Sequence, residues 1–298
     1  MKIYLKLALA SLAWAATFHV AKFTVGTLSP LAAMLWRFAL AAIVLVPWVA
    51  VREGWQLAAL RRNALPLLAI GVVGAIGFNL GLFYGLRATS AVSASLIMGL
   101  APSLTLAGAT LLTGRRPGVR LLLGLLLGLS GVATVVSGGS WQVLRALEFS
   151  RGDLLMLGAT VCWVIFSLIP QRFVRDLSAL AITASSLSIA AIAMLVLGVT
   201  VTPEALQWPG PALGAVLFIG LVATALAYLW WFEGVAKLGA VRTVLFTNLT
   251  PVFTALIAVM LGQTLLWAQC VGAILVIGGL IVATHAQTSA GGEPVAER

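Results

Sequence analysis

The sequence predicts an all-α integral membrane protein: ten transmembrane helices in two inverted five-helix repeats, with both termini cytoplasmic. Three observations lead there. Hydrophobic residues make up 61% of the 298-residue chain and charged ones 9%, with a mean hydropathy of +1.11. A soluble domain carries roughly 25% charged residues, so this chain could not cover a folded surface for water and takes a bilayer as its solvent. The chain also repeats itself. At an offset of 149, half its length, residues 80–112 meet residues 229–261 with 11 of 33 positions identical, among them Phe83 with Phe232 and Gly85 with Gly234. Trp14 meets Trp163 at the same offset, and self-similarity at a fixed period marks duplicated architecture. The net charge of +10, lastly, comes from basic residues scattered between apolar runs, singly or at most in pairs, and not clustered in a patch. That pattern reads as membrane orientation rather than as a nucleic-acid patch.

A spanning helix takes about 20 apolar residues, which places helices at 4–22, 30–51, 64–86, 91–113, 118–137, 152–173, 178–200, 211–233, 240–262 and 265–285. Pro30, Pro66, Pro117 and Pro211 stand near helix starts, where a missing N–H costs nothing. Arg61-Arg62-Asn63, Gly114-Arg115-Arg116-Pro117, Gly138-Gly139-Ser140 and Pro209-Gly210-Pro211 supply turn chemistry between spans. The first repeat is then 1–137 and the second 152–285, joined by an external linker at 138–151 and followed by a disordered cytoplasmic tail at 286–298. Lys2 and Lys6 ahead of Ala13-Trp14-Ala15 imitate a signal peptide. The apolar run continues through Val20 and has a repeat partner around Trp163, so it is read as a retained helix. Cys162 and Cys270 lie in apolar runs and are read as small buried hydrophobes.

With the N-terminus placed in the cytoplasm, alternating loops put 13 basic residues inside and four outside (Lys22, Arg87, Arg145 and Arg151), with Arg37 left within a helix. That excess satisfies the positive-inside rule. An odd number of helices per repeat forces the second copy into the membrane upside down. Inverted repeats recur in secondary transporters, where one half rocks against its twin around a central site. A duplicated bundle with another role would show the same inversion.

Several motifs, in order, resemble the drug/metabolite transporter superfamily in its ten-helix EamA-type branch. They are Trp14-Ala15-Ala16-Thr17-Phe18 in helix one, Trp36-Arg37-Phe38-Ala39 in helix two, and residues 85–92 (Gly-Leu-Arg-Ala-Thr-Ser-Ala-Val) with Ala101-Pro102 in helices three and four. Gly152-Asp153-Leu154 with Trp163 opens the second half and Thr250-Pro251 closes it. The likeness runs to residue 285. It implies a multi-pass plasma (inner) membrane protein that exports small metabolites, commonly amino acids, with the aromatic amino-acid exporters as the most similar branch. Other amphipathic metabolites or drugs are the alternative cargo. The acidic residue usual after helix four or nine is missing, since Leu112-Thr113-Gly114-Arg115 and Leu261-Gly262-Gln263-Thr264 stand there. Its role is therefore open in this chain.

Polar groups are costly inside a bilayer, which makes them candidates for the transport path. In helix one Trp14, Phe18 and Lys22 share a stripe at i, i+4 and i+8, flanked by Thr17 and His19. Lys22 lies near the outer end, where it either snorkels to the headgroups or meets a cargo carboxylate; His19 either serves cargo or bonds a neighbouring helix. Helix three offers Phe78, Asn79, Phe83 and Tyr84, helix six Trp163, Phe166 and Ser167, and helix eight Tyr228 and Trp231. Asn248 stands where the first copy has Gly99, and cargo choice is expected where the copies differ. Stacking of a cargo ring on such aromatics contributes about 0.5–1.5 kcal/mol per pair. Belts at the membrane edge account for Trp48, Trp55, Trp141 and Trp208, and lipid-facing rings are the plain alternative for the others. Arg37 reads as a brace between helices. Pro102 and Pro251, at equivalent places in helices four and nine, are candidate hinges, because a mid-helix proline removes a backbone bond and bends the helix. Gly124, Gly128, Gly131, Gly272, Gly278 and Gly279 permit close helix contact, within the chain or between copies.

No G-x-x-x-x-G-K-[ST] loop is present to hold a nucleotide, and no metal, cofactor or catalytic motif is visible. His19 and His285 lie near opposite faces, which weighs against a membrane-embedded lipid-modifying enzyme; a channel is the other alternative. No carboxylate lies deep in a span and Glu233 sits near the inner end of one, so uniport and proton antiport both stay open. The expected partners are a small-molecule substrate and the lipid bilayer, with no nucleic acid. The oligomeric state is open.

Overall fold

Within a bilayer each backbone N–H must find its acceptor inside the segment, and helices do this for an apolar chain. The computed structural model describes residues 2–54, 56–114, 118–146 and 150–289, and every element in them is helical. Ten long segments follow in order: α1 (Lys2–Thr24), α2 (Pro30–Arg52), α3 (Ala64–Ala88), α4 (Ala91–Leu112), α5 (Val119–Val136), α6 (Arg151–Phe173), α7 (Ala179–Thr200), α8 (Gly210–Leu238), α9 (Ala240–Met260) and α10 (Trp267–Ser289). Eight are long and apolar enough to cross a membrane, while α5 and α10 carry the shorter apolar stretches Leu122–Val135 and Trp267–Gly279. Serine caps start four of them. The hydroxyls of Ser29, Ser90, Ser150 and Ser178 accept the N–H of Ala32, Ser93, Asp153 and Ala181 at the entries to α2, α4, α6 and α7, satisfying donors that a helix start otherwise leaves orphaned.

The packing exchanges partners between the halves. α1 lies against α8 and α9, α6 lies against α3 and α4, α2 packs on α7, and α5 on α10. Two central bundles result, α1–α8–α9 and α3–α4–α6, each made of helices from both halves. Glycines let backbones touch at these seams. A Cβ on Gly81 would stand 2.5 Å from the Leu155 carbonyl, and one on Gly131 2.7 Å from that of Gly272. The reverse contact, from Gly279 to the Gly124 carbonyl, is 2.5 Å. Gly131 with Gly272 and Gly124 with Gly279 thus serve packing within the chain, whereas Gly278 faces open space.

The regular helices break at matching places. α3 is π-helical over Ile70–Gly77 and α8 over Phe218–Leu226, which coincide at the repeat offset. α4 is interrupted at Gly99–Leu100, and α9 tightens to a 3-10 turn over Leu245–Asn248. Each break lies just upstream of Pro102 or Pro251, whose rings crowd the carbonyl four residues back. The kink therefore falls about a turn ahead of the proline.

Some expectations shift. α10 runs on to Ser289, so residues 286–289 are helical, while 290–298 lie outside the described residues, as do Trp55 and the turn residues 115–117. The linker holds a short helix, Trp141–Ala146, and another, Leu57–Arg62, precedes α3. Cys162 is half-buried, but Cys270 on α10 is exposed, contrary to its expected burial. Trp141 and Trp208 are exposed, as belt residues require, whereas Trp163 and Trp231 are buried in the core and face no lipid.

Candidate functional site

The aromatic stripes converge where the two bundles meet. Trp14 on α1 sits edge-on to Trp163 on α6, with centroids 5.1 Å apart, and 5.4 Å from Trp231 on α8. Trp163 and Trp231 lie 5.0 Å apart, and Phe78 reaches Trp163 at 5.2 Å. The repeat-related tryptophans thus touch across the seam. Trp14 is fixed by its indole N–H, which donates to the Ala223 carbonyl at 2.9 Å in the π-helical stretch of α8. Trp14, Phe78 and Trp163 help to line a cavity of ≈ 30 Å³, room for about one or two waters. A ring-sized cargo therefore requires the bundles to part.

Trp14, Thr17, Phe18, Phe78, Trp163 and Tyr228 line this cavity. Phe166 and Trp231 stand one layer behind, with Phe166 stacked on Trp163 at 5.2 Å and 22°. Ser167 is turned into its own helix, donating to the Trp163 carbonyl at 2.8 Å. Asn79 and Phe83 lie beneath the cavity against Arg37. The remaining candidates sit elsewhere. His19 Nε2 donates to the Thr254 carbonyl at 2.9 Å, tying α1 to α9. Lys22 donates to the carbonyls of Leu86 and Thr89 at the end of α3, the latter at 2.8 Å. It holds a helix C-terminus, where a cation is favoured. Tyr84 lies under the Arg87 guanidinium at 5.5 Å. Asn248 lines a separate apolar cavity of ≈ 270 Å³ between α4, α9 and α10, with Pro251 and Gln269.

Arg37 is the residue that sequence reasoning undervalued. It does brace helices, since its Nε donates to Thr224 Oγ1 on α8 at 2.8 Å and its Nη1 donates to Asn79 Oδ1 on α3. It also lines the cavity and is 1% exposed. The rings of Phe83 and Tyr228 lie 5.8 and 6.0 Å from its Cζ, close enough for cation–π attraction. The signal available in advance was its depth. Seven residues beyond Pro30 it stands about 10 Å along the helix, too far in to snorkel with ease.

Two hydrogen-bonded contacts join the bundles near the helix ends. Lys22 joins α1 to α3 at one end, and at the other the Ala240 N–H of α9 donates to Gln171 of α6 at 2.9 Å. Each contact crosses between the bundles. Lys6 and Glu233, 2.7 Å apart, link α1 to α8 within one of them. Among the described residues no three His, Cys, Asp or Glu side chains gather as metal ligands would.

Comparison with known proteins gives this arrangement its context. A transporter of Bacillus subtilis (strain 168), YyaM, is 36% identical over 286 residues, covering 95% of this chain and 94% of its own length. An aromatic amino acid exporter, YddG, of Ancylobacter novellus is 25% identical over 229 residues, covering 75% of this chain and 77% of that protein. A solved crystal structure at 23% identity shares the fold, with a TM-score of 0.68 over 96% of this chain and 98% of that one. The model of the EamA-like transporter family matches residues 1–137 and 150–284, nearly the whole sequence. The chain belongs to the EamA-like transporter family, in the drug/metabolite transporter superfamily, and is a multi-pass protein of the plasma membrane.

Proposed function

We propose that this transporter exports small metabolites carrying an aromatic ring, aromatic amino acids among them, by alternating access. In this reading all ten helices span the membrane, the two halves are inverted repeats, and both termini face the cytoplasm. The observation that carries it is the enclosed chamber where repeat-related Trp14 and Trp163 meet edge to face at the seam between two bundles. A ring inserted there replaces aromatic contacts with equivalent ones, each contributing about 0.5–1.5 kcal/mol beyond area burial. Cross-bundle contacts at both ends supply the closures that alternating access needs, Lys22 with α3 at the outer end and Gln171 with α9 at the inner. The name of the Ancylobacter relative supports aromatic amino acids as the first class to try. Counterflow in proteoliposomes tests this directly. Vesicles loaded with unlabelled phenylalanine or tryptophan should accumulate the labelled compound above protein-free vesicles. Absence of flux for every aromatic amino acid would remove that cargo from the reading.

A further inference from the structure

We infer that the group this chamber selects is a carboxylate, and that the ammonium of an amino acid is dispensable: the site takes organic anions with an aromatic body. The inference rests on the chamber being the cargo site. A buried charge is normally paired, yet Arg37 is buried with neutral hydrogen-bond acceptors and no carboxylate partner among the described residues. A guanidinium has five N–H donors. Bracing engages Nε and Nη1, while Nη2 has no hydrogen bond to the described residues.

The neighbouring polar atoms lean the same way. Among the lining residues, the indole N–H of Trp163 and the hydroxyls of Thr250 and Tyr228 are buried without a hydrogen-bond partner, as is the indole N–H of Trp231 one layer behind; the Tyr228 hydroxyl lies near Asn79 without a well-formed bond to it. Indole N–H donates only. Among the described residues no carboxylate lines this cavity to receive a cation, and the unpaired amide oxygen of Asn248 lines the separate one. The described carboxylates Glu53, Asp153, Asp176, Glu204 and Glu233 lie outside the cavity lining. Asp153 bonds Thr89 and Ser150, Asp176 bonds Arg62, and Glu233 bonds Lys6. A carboxylate entering the chamber turns a lone buried cation into a pair. Of the lining side chains, an ammonium there meets ring faces and hydroxyl oxygens, with Arg37 repelling it.

The test is ligand stabilisation of the purified, detergent-solubilised protein by four probes: phenylpropionate, phenethylamine, phenylalanine and the saturated-ring cyclohexanepropionate. Phenylpropionate should bind at least as tightly as phenylalanine, and phenethylamine about tenfold or more weakly, the loss expected when a charge pair is not formed. Equal binding of amine and acid, or no binding of any acid, overturns the inference. Equal binding of the two acids upholds it and overturns the preference for aromatic cargo instead. Arg37→Gln, if monodisperse, should lose the discrimination between acid and amine, and Arg37→Lys should keep part of it. Retention of full acid affinity in Arg37→Gln also overturns the proposal.

Discussion

At the scale of single residues, the site turns on how few groups serve the charge of Arg37. Thr224 has two duties, accepting from Arg37 Nε at 2.8 Å and donating to the Ile219 carbonyl at 2.7 Å. Thr224→Val keeps the shape but leaves a buried donor unsatisfied, which costs about 1–3 kcal/mol. The midpoint of thermal unfolding in detergent should fall, and Thr224→Ser should restore most of it; an unchanged midpoint in the valine variant would show that this bond carries no weight. The shared face of the aromatic residues was legible in the sequence because stripes at i and i+4 name one helix face: Trp14 and Phe18 line the same cavity. Lys22 shares that stripe, yet sits too far along it and turns to the carbonyls of α3. The partners of Arg37 were not legible. Asn79 and Thr224 are 42 and 187 residues away, and no local pattern links them.

Among the helices, duplication was readable from identity at one offset, and the two bundles follow from which helices exchange partners. The π-helical stretches were invisible beforehand, since 70–77 and 218–226 have ordinary apolar helix composition. Their common position at the repeat offset ties them to the architecture, and they flank the chamber, where such bulges often serve function. The glycine seams make a sharp stability prediction. Gly131→Val must push α5 from α10, because its Cβ would meet a backbone carbonyl at 2.7 Å, whereas Gly158→Ala enters open space. Overpacking of this kind costs about 1–3 kcal/mol. The first variant should therefore unfold at a lower temperature than the parent and the second should not, and the same midpoint for both would refute the seam. Pro102→Ala and Pro251→Ala should slow counterflow more than they weaken ligand binding, because the breaks at Gly99–Leu100 and Leu245–Asn248 adjoin the chamber without those prolines lining it. An equal loss of both would assign the prolines to the wall.

At the scale of the whole molecule, composition alone identified the solvent, and the charge asymmetry suggested the orientation. What composition could not supply is the pairing of halves, because every helix is apolar on most of its surface and only side-chain fit selects neighbours. That fit puts α1 with α8 and α9, and α6 with α3 and α4; under the proposed alternating access, rocking of one bundle on the other would open one end as it closes the other. The measurement that tests this most directly is a pair of distance distributions from spin labels, in protein whose Cys162 and Cys270 are replaced by serine. Labels at the exposed positions Phe23 and Arg87 report the end closed by Lys22, and labels at Arg172 and Arg242 report the end closed by Gln171. On adding a transported aromatic acid the two distributions should shift in opposite directions. Widening of both together, as in an open channel, or movement of neither, would contradict alternating access around this chamber.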